Sequence, residues 1–287
     1  MLIDTHLHLI DRKRLTYPWL AGAGVLNRDS LYADYAREAR RLGITGTFHM
    51  EVDVAEADIG RETDYVKEVA QEPGCLIRGA IANCRPENPD FAAYAERSEH
   101  DPFVVGLRRC LHVMPDELSE QNVFRANIKR LGKSRLTFDL VMLPRQIRQT
   151  LALIDAAPET RFILDHCGVP DIRGHGFAQW APGLSAIAQR PNVIVKLSGL
   201  MAYADPADWT EETMRPYVEH VIEAFGWDRV IWGSDFPVCT LGGSLSTWVA
   251  LTRALTDGCS ADEKAKLFHR NITALWNLDA DGWLAKA

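Results

Sequence analysis

A chain of 287 residues, 47% of them hydrophobic, can bury a sizeable core and fits one α/β barrel as well as two smaller domains. Its net charge of -7 and pI near 5.7 give a field that repels nucleic acid and anionic membrane surfaces, which excludes a general nucleic-acid binder. There is no apolar run of about 18 residues, and Asp4, His6 and His8 stand where a signal peptide would need its apolar stretch, so a cytoplasmic protein is expected.

Six cysteines are scattered without a Cys-x-x-Cys pair, which points to free, mostly buried thiols and away from a zinc knuckle or a thioredoxin-like site. The first stretch, Met1 to Leu9, is a short apolar strand that runs into His6 and His8. Alternation along a strand projects both imidazoles from its C-terminal end. A loop from Ile10 to Ser30 leaves the same end and carries Trp19, either a pocket wall or a plug packed on the rim.

Helical periodicity follows over Leu31 to Leu42, stopped by Gly43. The strand Ile44 to Val52 comes next, with Glu51 at its C-terminal end as a pocket candidate and His49 one step deeper as a hydrogen-bonded interior residue. The unit then repeats: helix Ile59 to Gln71, strand Cys75 to Asn83, helix Pro89 to Glu99, strand Phe103 to Leu111, helix Asn122 to Leu131 and strand Leu136 to Leu143. Further on come helix Arg145 to Ala157, strand Arg161 to Asp165 delivering His166, helix Trp180 to Gln189 and strand Val193 to Leu197. Helix Met214 to Phe225, a strand from Arg229 into Asp235, and helix Ala261 to Trp276 complete the chain. Eight strands separated by helices, without hairpin signals, predict a single-domain (β/α)8 TIM barrel over residues 1–287. No G-x-G-x-x-G follows the first strand, so the dinucleotide-binding alternative lacks its fingerprint.

In such a barrel the strand C-termini converge on one mouth. His6, His8, Glu51, Arg108, His166, Lys196 and Asp235 all fall at predicted C-terminal ends. Of the pair Arg108-Arg109 only one can point inward, and Arg108 shares its face with Gly106. The histidines and Asp235 can ligate a divalent ion that acidifies water and polarises a carbonyl. Alternatively the histidines donate hydrogen bonds to a carbonyl while Asp235 takes a proton from water.

Ile3-Asp4-Thr5-His6-Leu7-His8, Gly106-Leu107-Arg108, Asp165-His166-Cys167-Gly168, Lys196-Leu197-Ser198-Gly199-Leu200 and Gly233-Ser234-Asp235-Phe236-Pro237, in this order and with Asn271 in the last helix, resemble the amidohydrolase superfamily. The likeness is closest to its second family, the branch with sugar lactonases and the pyrone dicarboxylate lactonase. It implies that Asp235 is the water-activating base, that His6, His8 and His166 bind the carbonyl or, with Asp235, one divalent cation, zinc first, and that Arg108 contacts substrate. Similar zinc decarboxylases carry a strand-five histidine, and Leu136 to Met142 has none, which lowers that reading and leaves a metal-independent site open.

Arg78, Arg108 and Lys196 are expected to ring the mouth and attract a carboxylate or a polyhydroxylated small molecule, with Glu51 and Trp19 as further contacts. The expected activity is hydrolysis of a sugar-acid or dicarboxylate lactone. Its rivals are a lactone isomerase, a zinc decarboxylase and a non-catalytic binder of small acids.

Overall fold

In the computed structural model, which describes residues 1–279, eight parallel strands pair in chain order: β1 (Ile3–Leu7), β2 (Gly46–Met50), β3 (Ile77–Asn83), β4 (Val104–Cys110), β5 (Thr137–Val141), β6 (Phe162–Leu164), β7 (Val193–Leu197) and β8 (Val230–Trp232). The ring closes just past the strand ends, where the Asp235 amide donates to His6 O at 2.9 Å and the His8 amide to Phe236 O at 2.8 Å. This is the expected (β/α)8 barrel; the last residues of the expected domain, 280–287, lie outside the described range.

Helices α1 (Tyr32–Leu42), α2 (Ile59–Ala70), α3 (Phe91–His100), α4 (Asn122–Arg130), α5 (Ile147–Ala156), α6 (Phe177–Ala188) and α7 (Glu211–Phe225) follow β1 to β7 in turn. Each turns an apolar stripe to the strands, and one large core fills the layer between helices and barrel. Helix α7 starts three residues before its predicted Met214, because the Thr210 side chain caps it by accepting from Thr213 N. Helix α8 (Leu245–Leu255) was not foreseen: Pro237, Gly242 and Gly243 read as loop, and the Ser244 cap that starts the helix lies directly behind them.

The last predicted helix is wound in three pieces, α9 (Ala261–Ala265), a π-helical turn (Lys266–Arg270) and α10 (Asn271–Leu275). Asn271 ties this segment to the start of β8 by donating to Trp227 O at 2.6 Å and Val230 O at 2.8 Å. Ile272 and Trp276 thereby enter the barrel's own interior, packing with Ile3, Phe48, Val105 and Ile231. The Trp276 and Phe48 rings lie 4.5 Å apart. The interior is therefore apolar at one level and, toward the C-terminal ends of the strands, crowded with buried ionisable groups.

The long loop after β1 is ordered. Ile10 and Ser30 bridge its two ends, and Pro18–Gly22 and Gly24–Leu26 form single tight turns within it. Five of the six cysteines are buried and all six are free thiols.

Candidate active site

Asp4, inside β1, aligns the first strand with the turn after the last. Its buried carboxylate accepts from Ser234 N at 2.7 Å, from His6 N at 3.1 Å and from the Tyr35 hydroxyl at 2.7 Å. Ser234 Oγ donates back to His6 O at 3.2 Å, and a side chain at Gly233 would lie 2.8 Å from the Cβ of His6. The Gly233-Ser234-Asp235 turn is thus moulded onto the strand that carries the histidines. Asp235 leaves it with φ 57°, and His166 leaves β6 with φ 52°, a conformation few non-glycine residues hold without support.

His6, His8, His166 and Asp235 meet. The Nε2 atoms of His6 and His8 are 3.2 Å apart, and Asp235 Oδ1 lies 3.7 and 3.5 Å from them. Asp235 Oδ2 lies 3.9 Å from Nδ1 of His166 and is buried without a hydrogen-bond partner among the described residues. Ser198 Oγ bonds His166 Nδ1 at 2.9 Å, and Gly199 runs so close beneath the ring that a Cβ there would sit 2.6 Å from Nδ1.

Hydrogen-bond partners assign the protons. Met50 O, an acceptor, lies 2.9 Å from His8 Nδ1, so that nitrogen carries hydrogen and Nε2 presents a lone pair. The Lys196 ammonium has three acceptors in reach: Asp139 Oδ2 at 2.8 Å, Asp165 Oδ1 at 2.9 Å and His6 Nδ1 at 3.2 Å. Arg108 Nη1, also a donor, lies 3.4 Å from His6 Nε2, but Lys196 is closer, so His6 accepts at Nδ1 and carries its proton on Nε2, toward His8. The opposite tautomer needs Nδ1 to donate to Asp165 Oδ1, which is farther away at 3.4 Å.

Arg108 reaches inward. Its Nε donates to Glu51 Oε1 at 2.6 Å, Nη2 to Glu51 O at 2.7 Å and Nη1 to Asp165 Oδ2 at 3.2 Å. Arg109 turns the other way, to Glu87 at 2.9 Å. His49, too, faces outward, bonding Glu62 of α2 at 3.2 Å.

Burial shapes the titration of this cluster. It pushes Asp235 up to about 6, with the nearby charges of His166 and Arg108 pulling the other way. Burial, then Arg108, brings His8 down to about 3, and burial lowers His6 and His166 as well, so all three imidazoles are neutral at pH 7. For Asp165 burial acts upward, but Lys196, His6 and Arg108 outweigh it and hold the carboxyl well below its usual range.

A cavity of about 340 Å³ opens above the cluster, walled by His8, Arg108, His166, Asp235, Tyr203 and Trp19 among others. Trp19 is held by its indole N–H, which donates to Val52 O at 2.8 Å. Three expected contacts fall elsewhere. Arg78 stands near the start of β3, its guanidinium on Cys75 O, at the opposite end of the strands from the cavity. Lys196 is fully buried beneath His6, where two carboxylates keep it, and Glu51 is fully buried behind Arg108. All three were placed by sequence position alone, which cannot tell the cavity wall from the layer under it. Asp139 and Asp165 were missed as partners of Lys196. The signal was present in the sequence, since a lysine sharing the inward face of a buried strand requires carboxylates.

A model of the amidohydrolase family matches residues 3–278. The chain belongs to this family. Its relatives include an uncharacterized protein of Sinorhizobium fredii, 28% identical over 295 residues (96% of this chain, 98% of the other). Another is the L-fucono-1,5-lactonase of Burkholderia ambifaria, 28% identical over 263 residues (88% of each chain). An amidohydrolase of Burkholderia multivorans solved with bound zinc superimposes with a TM-score of 0.86 at 24% identity, over 97% of this chain and 100% of that one.

The residues present fit such an ion on their own chemistry. His6, His8 and Asp235 bring ligand atoms within 4.8 Å of one another, and two imidazoles with a carboxylate are a zinc-type donor set. His166 groups instead with His6 and Asp165. The fit requires His6 to move its proton to Nδ1, against Lys196.

Proposed function

We propose that this chain hydrolyses a lactone, with Asp235 as the base that activates water. The observation that carries the reading is Asp235 Oδ2: a carboxylate oxygen at the cavity, without a hydrogen-bond partner among the described residues, on a group raised to about 6. Such an oxygen holds a water and takes its proton near neutral pH. The lactonase names among the relatives support the substrate class.

The attack proceeds on this chain's own groups. Arg108 and His166, which line the cavity with Asp235, are the donors for the carbonyl oxygen as it gains charge, while the Nε2–H of His6 is held by His8. Water oxygen bonds to the carbonyl carbon while Asp235 takes its proton. The ring C–O bond then breaks, and Asp235 returns that proton to the departing alkoxide, giving a hydroxy acid. A divalent ion held by His6, His8 and Asp235 would, when bound, polarise the same carbonyl and acidify water.

The test is acid release from a panel of lactones by the wild type and by Asp235→Asn, with product analysis. Release of hydroxy acid that vanishes in the variant supports the reading. A rearranged lactone as product replaces it with an isomerase.

A further inference from the structure

Among the described residues, the cations that line this cavity or stand directly behind its wall already have their anions. Arg108 is bonded to Glu51 and Asp165, and Lys196 to Asp139 and Asp165. At the rim Arg109 is paired with Glu87 and lies 3.9 Å from Asp53, while Arg85 lies 3.8 Å from Asp53. Among the described residues lining the cavity no unpaired Lys or Arg is left for a substrate carboxylate, and the carboxylates that face it, Asp53 and Asp235, would repel one.

The wall beyond the catalytic end is apolar: Ile10, Leu26, Val52, Val141 and Val238 line it, and none of their side chains forms a hydrogen bond. Trp19 adds only its ring face, because Val52 O takes its N–H. At the rim stands Val113, 62% exposed, a branched apolar side chain held in water beside the opening. Two further uncharged polar handles line the cavity, Tyr203, whose ring lies 6.1 Å from that of His166, and His112. The buried Nδ1 of His112 has no partner among the described residues. A ring bearing a hydroxyl on most carbons would leave several of them unpaired against this wall.

We propose, resting on the lactonase reading above, that the lactone taken here is uncharged and carries an apolar alkyl or aryl substituent lodged against Trp19, Val52, Val113 and Val141. The lactone carbonyl lies at Arg108 and His166, beside Asp235, and the substituent points outward along the apolar wall. Each methylene buried there raises kcat/KM about fourfold.

The experiment compares four lactones with the purified full-length chain: δ-valerolactone, δ-octalactone (the same ring with a propyl group), glucono-1,5-lactone and 2-pyrone-4,6-dicarboxylate. The expected result is a kcat/KM for δ-octalactone at least tenfold above each of the others. Faster opening of the polyhydroxylated or the dicarboxylate lactone overturns the inference and leaves the lactonase reading standing. Failure of the wild type to open any of the four overturns the lactonase reading, and the inference with it. Val141→Asn and Trp19→Ala should each lower the δ-octalactone to δ-valerolactone ratio several-fold. That ratio does not depend on the fraction of protein folded, and its constancy in both variants overturns the placement of the substituent.

Discussion

Lys196 Nζ lies 3.2 Å from His6 Nδ1, under the cavity and out of reach of solvent, and this contact decides which face of the imidazole carries the proton. The ammonium makes His6 a donor toward His8 and competes with its use as a metal ligand. Lys196→Met should therefore turn His6 over to its other tautomer, facing Asp165, and tighten zinc binding. The ¹⁵N shifts of the His6 ring and a zinc titration read both effects. With Asp139 and Asp165 left buried beside an uncharged side chain, unfolding should become easier by about 3–5 kcal/mol. A His6 tautomer identical in the wild type and the variant would contradict the assignment.

Asp235→Asn keeps size and most hydrogen bonding but removes the proton acceptor, so kcat should fall by about 10²- to 10⁴-fold with little change in KM. The sign of the pH dependence follows from the raised carboxyl. Below about 6 Asp235 is protonated and cannot act as base, so wild-type activity should drop as pH falls through that value, while the already neutral histidines contribute no limb above it. An acid limb that persists unchanged in the variant would assign it to another group.

Arg108 and Arg109 are both buried neighbours on β4, yet only Arg108 faces His6 and Asp165. Arg108→Met should lower kcat/KM by at least about a hundredfold, the usual worth of a donor aimed at a developing oxyanion. Arg109→Met should change it several-fold at most. Steady-state kinetics of the pair, with circular dichroism to confirm folding, decide the matter; equal losses would count against the inward assignment.

Gly199 has φ +72° and passes within contact of the His166 ring. Gly199→Ala meets both a disfavoured backbone region and the ring itself, so a loss of about 1–3 kcal/mol in stability is expected together with reduced turnover. Thermal unfolding and kcat measured on the same preparation check it. A variant as active as wild type would show that the ring has room to move.

The barrel and the meeting of His6, His8, His166 and Asp235 were legible because both rest on local order: apolar runs alternating with helices, and polar residues at strand ends. Helix α8 was hidden by the glycines that precede its cap. The misplacement of Arg78, Lys196 and Glu51 has a different origin. Periodicity gives the side of a strand, but depth along the barrel axis depends on stagger between strands, and on which cations have found carboxylates several elements away. The Lys196, Asp139 and Asp165 triad joins residues up to 57 positions apart and has no local signature.

The hydrogen bond from Ser234 to Asp4 spans 230 positions, and the adjoining closure between β1 and the turn after β8 spans nearly as many. The His6–His8 pair and the proposed base Asp235 thus come from the first strand of the barrel and the turn after its last. A nascent chain leaving the ribosome has His6 and His8 early but lacks the proposed base until the final strand emerges and zips onto the first. Contacts so distant along the chain form late and slowly. Ring closure and acquisition of activity are accordingly one kinetic event, so incomplete translation products are expected to be inert rather than partially active.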